Sequence, residues 1–194
     1  MTYKLLFILS LSLLISCNKK NSVPPLEETW PQKWILTVDE SADKYTYLEV
    51  NGNNMKRSQI LKSYSLVLLA EEKNCNFLVS LSKSEAGKSC YTMQIEKTPT
   101  RWMFAGPSTN QQEVHLGMSG VTGSSTTSPG NSDNYKFFIH FMPRVNDVRT
   151  VTIESVEKPG YYISTASPGF NYSPTQAVLT QHSKPEEATH WQCR

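Results

Sequence analysis

From Trp34 onward the chain is built of short segments in which apolar and polar residues alternate, each closed by turn formers. Segments of this kind, rich in aromatic and β-branched residues, predict strands. They are Trp34–Val38, Tyr45–Val50, Tyr64–Leu69, Asn76–Leu81, Ser89–Ile95, Arg101–Ala105, Glu113–Met118, Tyr135–Phe141, Arg149–Glu154, Tyr161–Thr165, Gln176–Thr180 and His190–Cys193. The apolar stretch Ile60–Ala70 is long enough for a helix, but Ser63-Tyr64-Ser65 and Val67 favour a strand there. A period of two puts Phe137, Ile139 and Phe141 on one face, and likewise Val151 with Ile153, Tyr161 with Ile163, and Trp191 with Cys193. Strands this close together, with no helices between them, predict an all-β domain, either a closed barrel or a β-sandwich.

The N-terminus follows a different pattern. Lys4 precedes an unbroken run from Leu5 to Ser16, then Cys17. A positive start, an apolar core and a small residue before the cut form an export signal. The run is shorter than the roughly 20 residues a membrane-spanning helix needs. Leu14-Ile15-Ser16-Cys17 resembles the lipobox of bacterial lipoproteins. That resemblance implies cleavage after Ser16 and lipid on Cys17, hence a membrane partner through the lipid and an outer-membrane address in the cell envelope. Lys19 and Lys20 are unlike the acidic surface-export signal of some such lipoproteins, which favours the periplasmic face. The expected organisation is a signal peptide over 1–16, a lipidated tether over 17–29 stiffened by Pro24-Pro25, and one domain over 30–194.

Removing residues 1–16 takes away Lys4 and no acid, leaving 178 residues with 18 basic and 17 acidic side chains. So small an excess, without a basic run, gives no case for nucleic acid. Export leads to an oxidising compartment. Folding the chain about Ser82–Lys83 sets Cys75 opposite Cys90, making them a disulfide candidate that would contribute ~3 kcal/mol; two buried free thiols are the alternative. Cys193 reads as a buried thiol of the last strand. Ser119–Asp133, poor in anything to bury, reads as an exposed, mobile loop.

The last third of the chain carries a further resemblance. Thr152-Ile153-Glu154-Ser155-Val156-Glu157-Lys158-Pro159-Gly160-Tyr161-Tyr162-Ile163-Ser164-Thr165 is similar to the C-terminal part of the interleukin-1 family, with Ile153 where a Phe is usual. A similar Glu-Ser to Pro-Gly-Tyr-Tyr phrase occurs in arabinofuranose-binding modules. Both families share the β-trefoil, six barrel strands closed by three hairpins, and the resemblance implies that fold, with the β-sandwich as the alternative. It implies no signalling role. Ricin-type trefoil lectins repeat Gln-x-Trp; here the order is Trp191-Gln192, and no such triplet is expected. Locally, Pro159 presets φ and Gly160 supplies positive φ, which predicts a type II turn.

No Gly-x-Ser-x-Gly elbow, His-Glu-x-x-His, phosphate loop or Cys-x-x-Cys occurs. His115, His140, His182 and His190 are spaced unlike a metal-ligand set, so neither a metal nor another cofactor is expected. Tyr162, Phe170 and Tyr172 cluster around one turn and loop and are the ligand-binding candidates, since exposed rings stack on sugars and anchor proteins. The expectation is a non-catalytic, lipid-anchored binding protein for a glycan or for an envelope or host protein. The alternative is a hydrolase with a site assembled from several loops.

Overall fold

The computed structural model describes residues 29–108, 113–119, 132–165 and 175–194. Among the described residues twelve strands and one short α-helix follow in order: β1 Gln32–Asp39, β2 Lys44–Asn51, β3 Asn54–Leu61, α1 Leu66–Glu72, β4 Asn76–Lys83, β5 Ser89–Ile95, β6 Thr98–Ser108, β7 Glu113–Ser119, β8 Phe137–Val145, β9 Val148–Ser155, β10 Tyr161–Thr165, β11 Ala177–Gln181 and β12 Trp191–Cys193. Cys17, Phe170, Tyr172, the signal segment and residues 120–131 of the expected loop lie outside the described residues. No helix among the described residues is long and apolar enough to cross a membrane.

The fold expectation is corrected here. The strands are not two stacked layers, and the strand layout drawn from the sequence is replaced: a strand at Asn54–Leu61 takes the place of the one expected at 64–69. They form a single twelve-strand antiparallel sheet closed into a barrel with additional strands, and a helix stands where a strand was expected. The pairings β1–β4, β4–β5, β5–β8, β8–β9, β9–β12 and β12–β1 run round a ring. The hairpins β2–β3, β6–β7 and β10–β11 leave this ring and pair with one another, through Asn54 with Gly117, Val178 with His115, and Lys56 with Gln176. They meet at one end; the turns β4–β5 and β8–β9 and the start of β1 lie at the other.

Two segments depart from the expected strands for identifiable reasons. At 64–69 Ser65 caps a helix by accepting from the Leu68 N–H at 3.4 Å, and Leu66–Glu72 turns over the outer face of β1 and β2. Leu69 alone of this helix is fully buried, against Ile35, Tyr47 and Cys75. That second small core explains why β1 is buried on both faces from Trp34 to Thr37: Trp34 and Leu36 point into the barrel while Ile35 points out under α1. The other departure is β3, a strand the pattern did not announce. Of its residues only Met55 is buried, and it is held by a full ladder to β2.

The expected pairing of Cys75 with Cys90 is corrected by register. The β4–β5 turn is centred on Glu85–Gly87, where Gly87 takes φ +77° and Ser84 accepts from the Lys88 N–H through its hydroxyl at 3.0 Å. Cys90 is therefore opposite Ser82, seven residues from Cys75, a distance of roughly 23 Å along a strand. Both thiols are free and buried. Burial pushes Cys75 up to about 11, which keeps it a protonated, unreactive thiol.

The barrel interior is filled by Trp34, Leu36, Phe77, Met93, Phe137, Ile153, Ile163 and Trp191, among others. At the end where the hairpins meet, one glycine is required by space. A Cβ on Gly117, the residue opposite Phe104, would stand 2.7 Å from His115 Nε2 and 2.9 Å from Phe104 Cε1. Neither ring can retreat easily, because they also pack on each other with centroids 6.2 Å apart. Gly117→Ala is expected to cost about 1–3 kcal/mol, read as a lower urea midpoint at unchanged m. An unchanged midpoint would show that the two rings are free to move.

Candidate functional site

The expected turn brings the site together. Tyr161 N–H donates to the Lys158 carbonyl at 3.1 Å and Gly160 takes φ +84°, as a type II turn requires. The Gly160 N–H then points at Glu154 and donates to its Oε1 at 2.7 Å. Glu154, on β9, is directly opposite Tyr162 on β10. On the other side β8 carries His140, whose Nε2 lies 2.6 Å from Glu154 Oε2. The Tyr162 hydroxyl also donates to Glu154. One carboxylate, 13% exposed, thus holds a backbone N–H, a phenol and an imidazole from three successive elements.

The cluster continues across β11. Thr180, opposite Tyr162, places its hydroxyl 2.7 Å from Ser164 Oγ and 3.0 Å from His182 Nε2. The Tyr162 ring is flanked by both imidazoles, with centroids 5.9 Å from His140 and 6.1 Å from His182. Tyr162 is therefore covered rather than displayed, at 3% exposure, whereas His140 is about one-third exposed. Burial, then the charge and hydrogen bond of Glu154, and the charge of Glu186, push the Tyr162 hydroxyl up to about 12. At neutral pH it is a fixed donor, and the cluster is a set of orienting hydrogen bonds on the outer wall of the barrel.

Of the sequence candidates, Tyr162 falls in this cluster, and Phe170 and Tyr172 are outside the described residues. Glu154, His140, His182, Thr180 and Ser164 were not singled out. Their signal is register: 140, 154, 162, 180 and 182 come together only when β8, β9, β10 and β11 are laid side by side. The expectation that no Gln-x-Trp triplet occurs is corrected: Gln32-Lys33-Trp34 has that spacing at the start of β1, where the Trp34 indole N–H donates to Gln32 Oε1 at 3.0 Å and Arg149 donates to the same oxygen at 2.8 Å. That triplet braces the barrel mouth.

Elsewhere the described surface has shallow hollows. One of about 450 Å³ lies beside α1 and has Ile35, Leu66, Val67 and Ala70 in its walls. Two polar ones of about 320 and 280 Å³ share Lys56 and Thr175. No group of three or more His, Cys, Asp or Glu side chains is placed to hold a metal ion among the described residues.

No family model matches the sequence, and no curated protein matches it. Solved structures do. A mosquitocidal holotoxin is 11% identical, with 86% of this chain and 17% of that one covered and a TM-score of 0.48. A ricin B-like lectin from Macrolepiota procera, solved in complex with lactose, is 12% identical over 86% of this chain and 97% of that one, with a TM-score of 0.49. A Caenorhabditis elegans protein of unknown function is 10% identical over 88% and 98%, with a TM-score of 0.44. This chain spans less than a fifth of the holotoxin chain and nearly the whole of the other two.

Proposed function

We propose that this protein is a non-catalytic carbohydrate-binding protein, held in the cell envelope by lipid on Cys17, and that it takes its ligand at the Glu154 cluster. The observation that carries the reading is that the half-buried imidazoles of His140 and His182 stand on one outer wall, held on either side of the covered Tyr162 ring by Glu154 and Thr180. Imidazoles fixed in orientation offer a ring face and a polar nitrogen together, which suits a polyhydroxylated ring with its apolar C–H patches and hydroxyls. Glu154 already has its hydrogen-bond partners within the protein, so it orients the rings and leaves the imidazoles to meet the sugar. The support for the address is the sequence alone: the export signal and the lipobox-like tetrad.

A glycan array probed with the full chain tests the binding reading. At least one glycan should be retained, and His140→Ala and His182→Ala should each weaken it about tenfold, equivalent to about 1.4 kcal/mol, at a temperature where melting curves show both variants still fully folded. The bound glycan should be recovered intact. An array without retained glycans, retention indifferent to both substitutions, or a cleaved product would overturn the reading.

A further inference from the structure

The inward rows of the barrel strands continue past the closed core at the end where the chain enters. Along β4, Phe77 and Val79 are fully buried, but the next inward residue, Leu81, is 55% exposed. Along β8, Phe137 is buried and Ile139 half-buried, while Phe141, expected inside, is 49% exposed although it is opposite fully buried Val151. Val145, at the tip of the same hairpin, is 41% exposed. Residues directly opposite in an antiparallel pair share a face. These apolar side chains therefore form the rim of an open mouth.

The chain enters at this rim. Trp30 packs on Tyr91 with centroids 4.7 Å apart, and Tyr91 is the cross-strand partner of Leu81. Gln32 accepts from Arg149, which in turn sits 5.7 Å from the centre of the Phe141 ring. Trp30, Leu81 and Phe141 are thus linked to the entry point within two contacts. On the two hairpin tips are four cations, Lys83, Lys88, Arg144 and Arg149, and two carboxylates, Glu85 and Asp147; a third carboxylate, Asp133, accepts from the Glu85 N–H at 2.9 Å and is neutralised by buried Lys136 at 3.1 Å. The eleven residues between Cys17 and Thr29 can span at most roughly 40 Å.

We propose that this mouth docks against an anionic bilayer surface, with Leu81, Phe141 and Val145 entering the interface and the surrounding cations facing lipid headgroups. The inference rests on the lipid-anchor reading of Cys17. A bilayer suits the patch better than a folded partner for two reasons. The apolar residues sit on two hairpin tips and require no complementary pocket. A tether rooted beside the rim keeps the same face close to the membrane, within reach of attraction that salt screens over about 10 Å.

The experiment uses the full chain produced in bacteria and reconstituted into vesicles of phosphatidylethanolamine with phosphatidylglycerol, or of phosphatidylcholine alone. Hydrogen exchange is read by mass spectrometry, and intact mass reports the modification of Cys17. Peptides covering 81–91 and 141–149 should exchange about fivefold more slowly on the anionic vesicles than in detergent, while a peptide over 64–73 should not change. Lys83→Glu/Lys88→Glu/Arg144→Glu should abolish the slowing, and so should Leu81→Glu/Phe141→Glu, all at exposed positions. A lipid-modified chain with unprotected tips overturns the docking and leaves the anchor standing. An unmodified chain with protected tips overturns the anchor and supports the docking. Absence of both overturns both, and equal protection on neutral vesicles or in the charge-reversed variant overturns the anionic-surface claim.

Discussion

Trp191→Ala should be the most damaging single substitution in the barrel, lowering stability by about 3–5 kcal/mol from lost burial and the cavity left behind. Trp191 is fully buried and the largest such side chain. It also joins two parts of the sheet that otherwise touch little: its indole N–H donates to the Ile163 carbonyl at 3.0 Å, tying β12 in the ring to β10 in the hairpin. Between β9 and β10 only Glu154 and Tyr162 are in register as partners, so this side-chain bond is a substantial part of the connection. Alanine leaves both a void and a buried carbonyl without its donor, and the second adds about 1–3 kcal/mol unless water enters. Against a total of about 5–15 kcal/mol, the variant is at the edge of folding.

Trp191→Phe separates the two effects. It keeps most of the ring volume and removes the donor, so it should lose about 1–3 kcal/mol and loosen the β10–β11 hairpin, seen as faster amide exchange at Ile163–Ser164 relative to Ile153. Guanidinium unfolding of the three proteins measures the stabilities. An alanine variant within 1 kcal/mol of the parent, the size of an ordinary surface change, would mean that residue 191 does not fill the core.

What the sequence made legible follows from what each element buries. Strands with one face in the barrel announce themselves by alternation, and eleven of the expected segments are strands. β3 was silent because a hairpin strand held by its ladder to β2 needs little apolar surface. α1 was misread because five successive apolar residues, Leu66–Ala70, fit a strand or a short helix, and the deciding signal, Ser65 as an N-cap, is one atom's hydrogen bond. The layout drawn from the sequence placed a strand at 64–69 and none at 54–61, whereas the expected strand at 89–95 is present. In the structure Ser89–Ile95 is β5, in the ring between β4 and β8. The cysteine pairing failed by placing the turn at Ser82–Lys83 instead of around Ala86, which shifts the register by seven residues. The Pro159–Gly160 turn was legible because its requirement is local. The Glu154 cluster was not, since its residues span 42 positions and meet only through three strand pairings.

Glu154→Ala should cost about 2–4 kcal/mol, because hydrogen bonds to a charged group contribute about 1.5–3 kcal/mol each and the substitution strands the Gly160 N–H and the Tyr162 hydroxyl at once. His140 is partly open to water and can recover a partner there, which keeps the total below the sum of three bonds. Glu154→Gln keeps an acceptor but removes the charge, so it should cost less and report through Tyr162. In the parent protein the phenol titrates at about 12, above the ordinary tyrosine value of about 10. The folded state therefore keeps a proton that the unfolded chain releases, and stability falls as pH rises from about 10 toward 12. Without the Glu154 charge the phenol should titrate lower, yet still above its ordinary value, because burial is the largest cause and remains. Alkaline ultraviolet titration of parent, Glu154→Gln and Tyr162→Phe isolates this one tyrosine by difference. If Tyr162 titrates identically with and without the charge, Glu154 does not orient it, and the rings of the proposed sugar site are then held by packing alone.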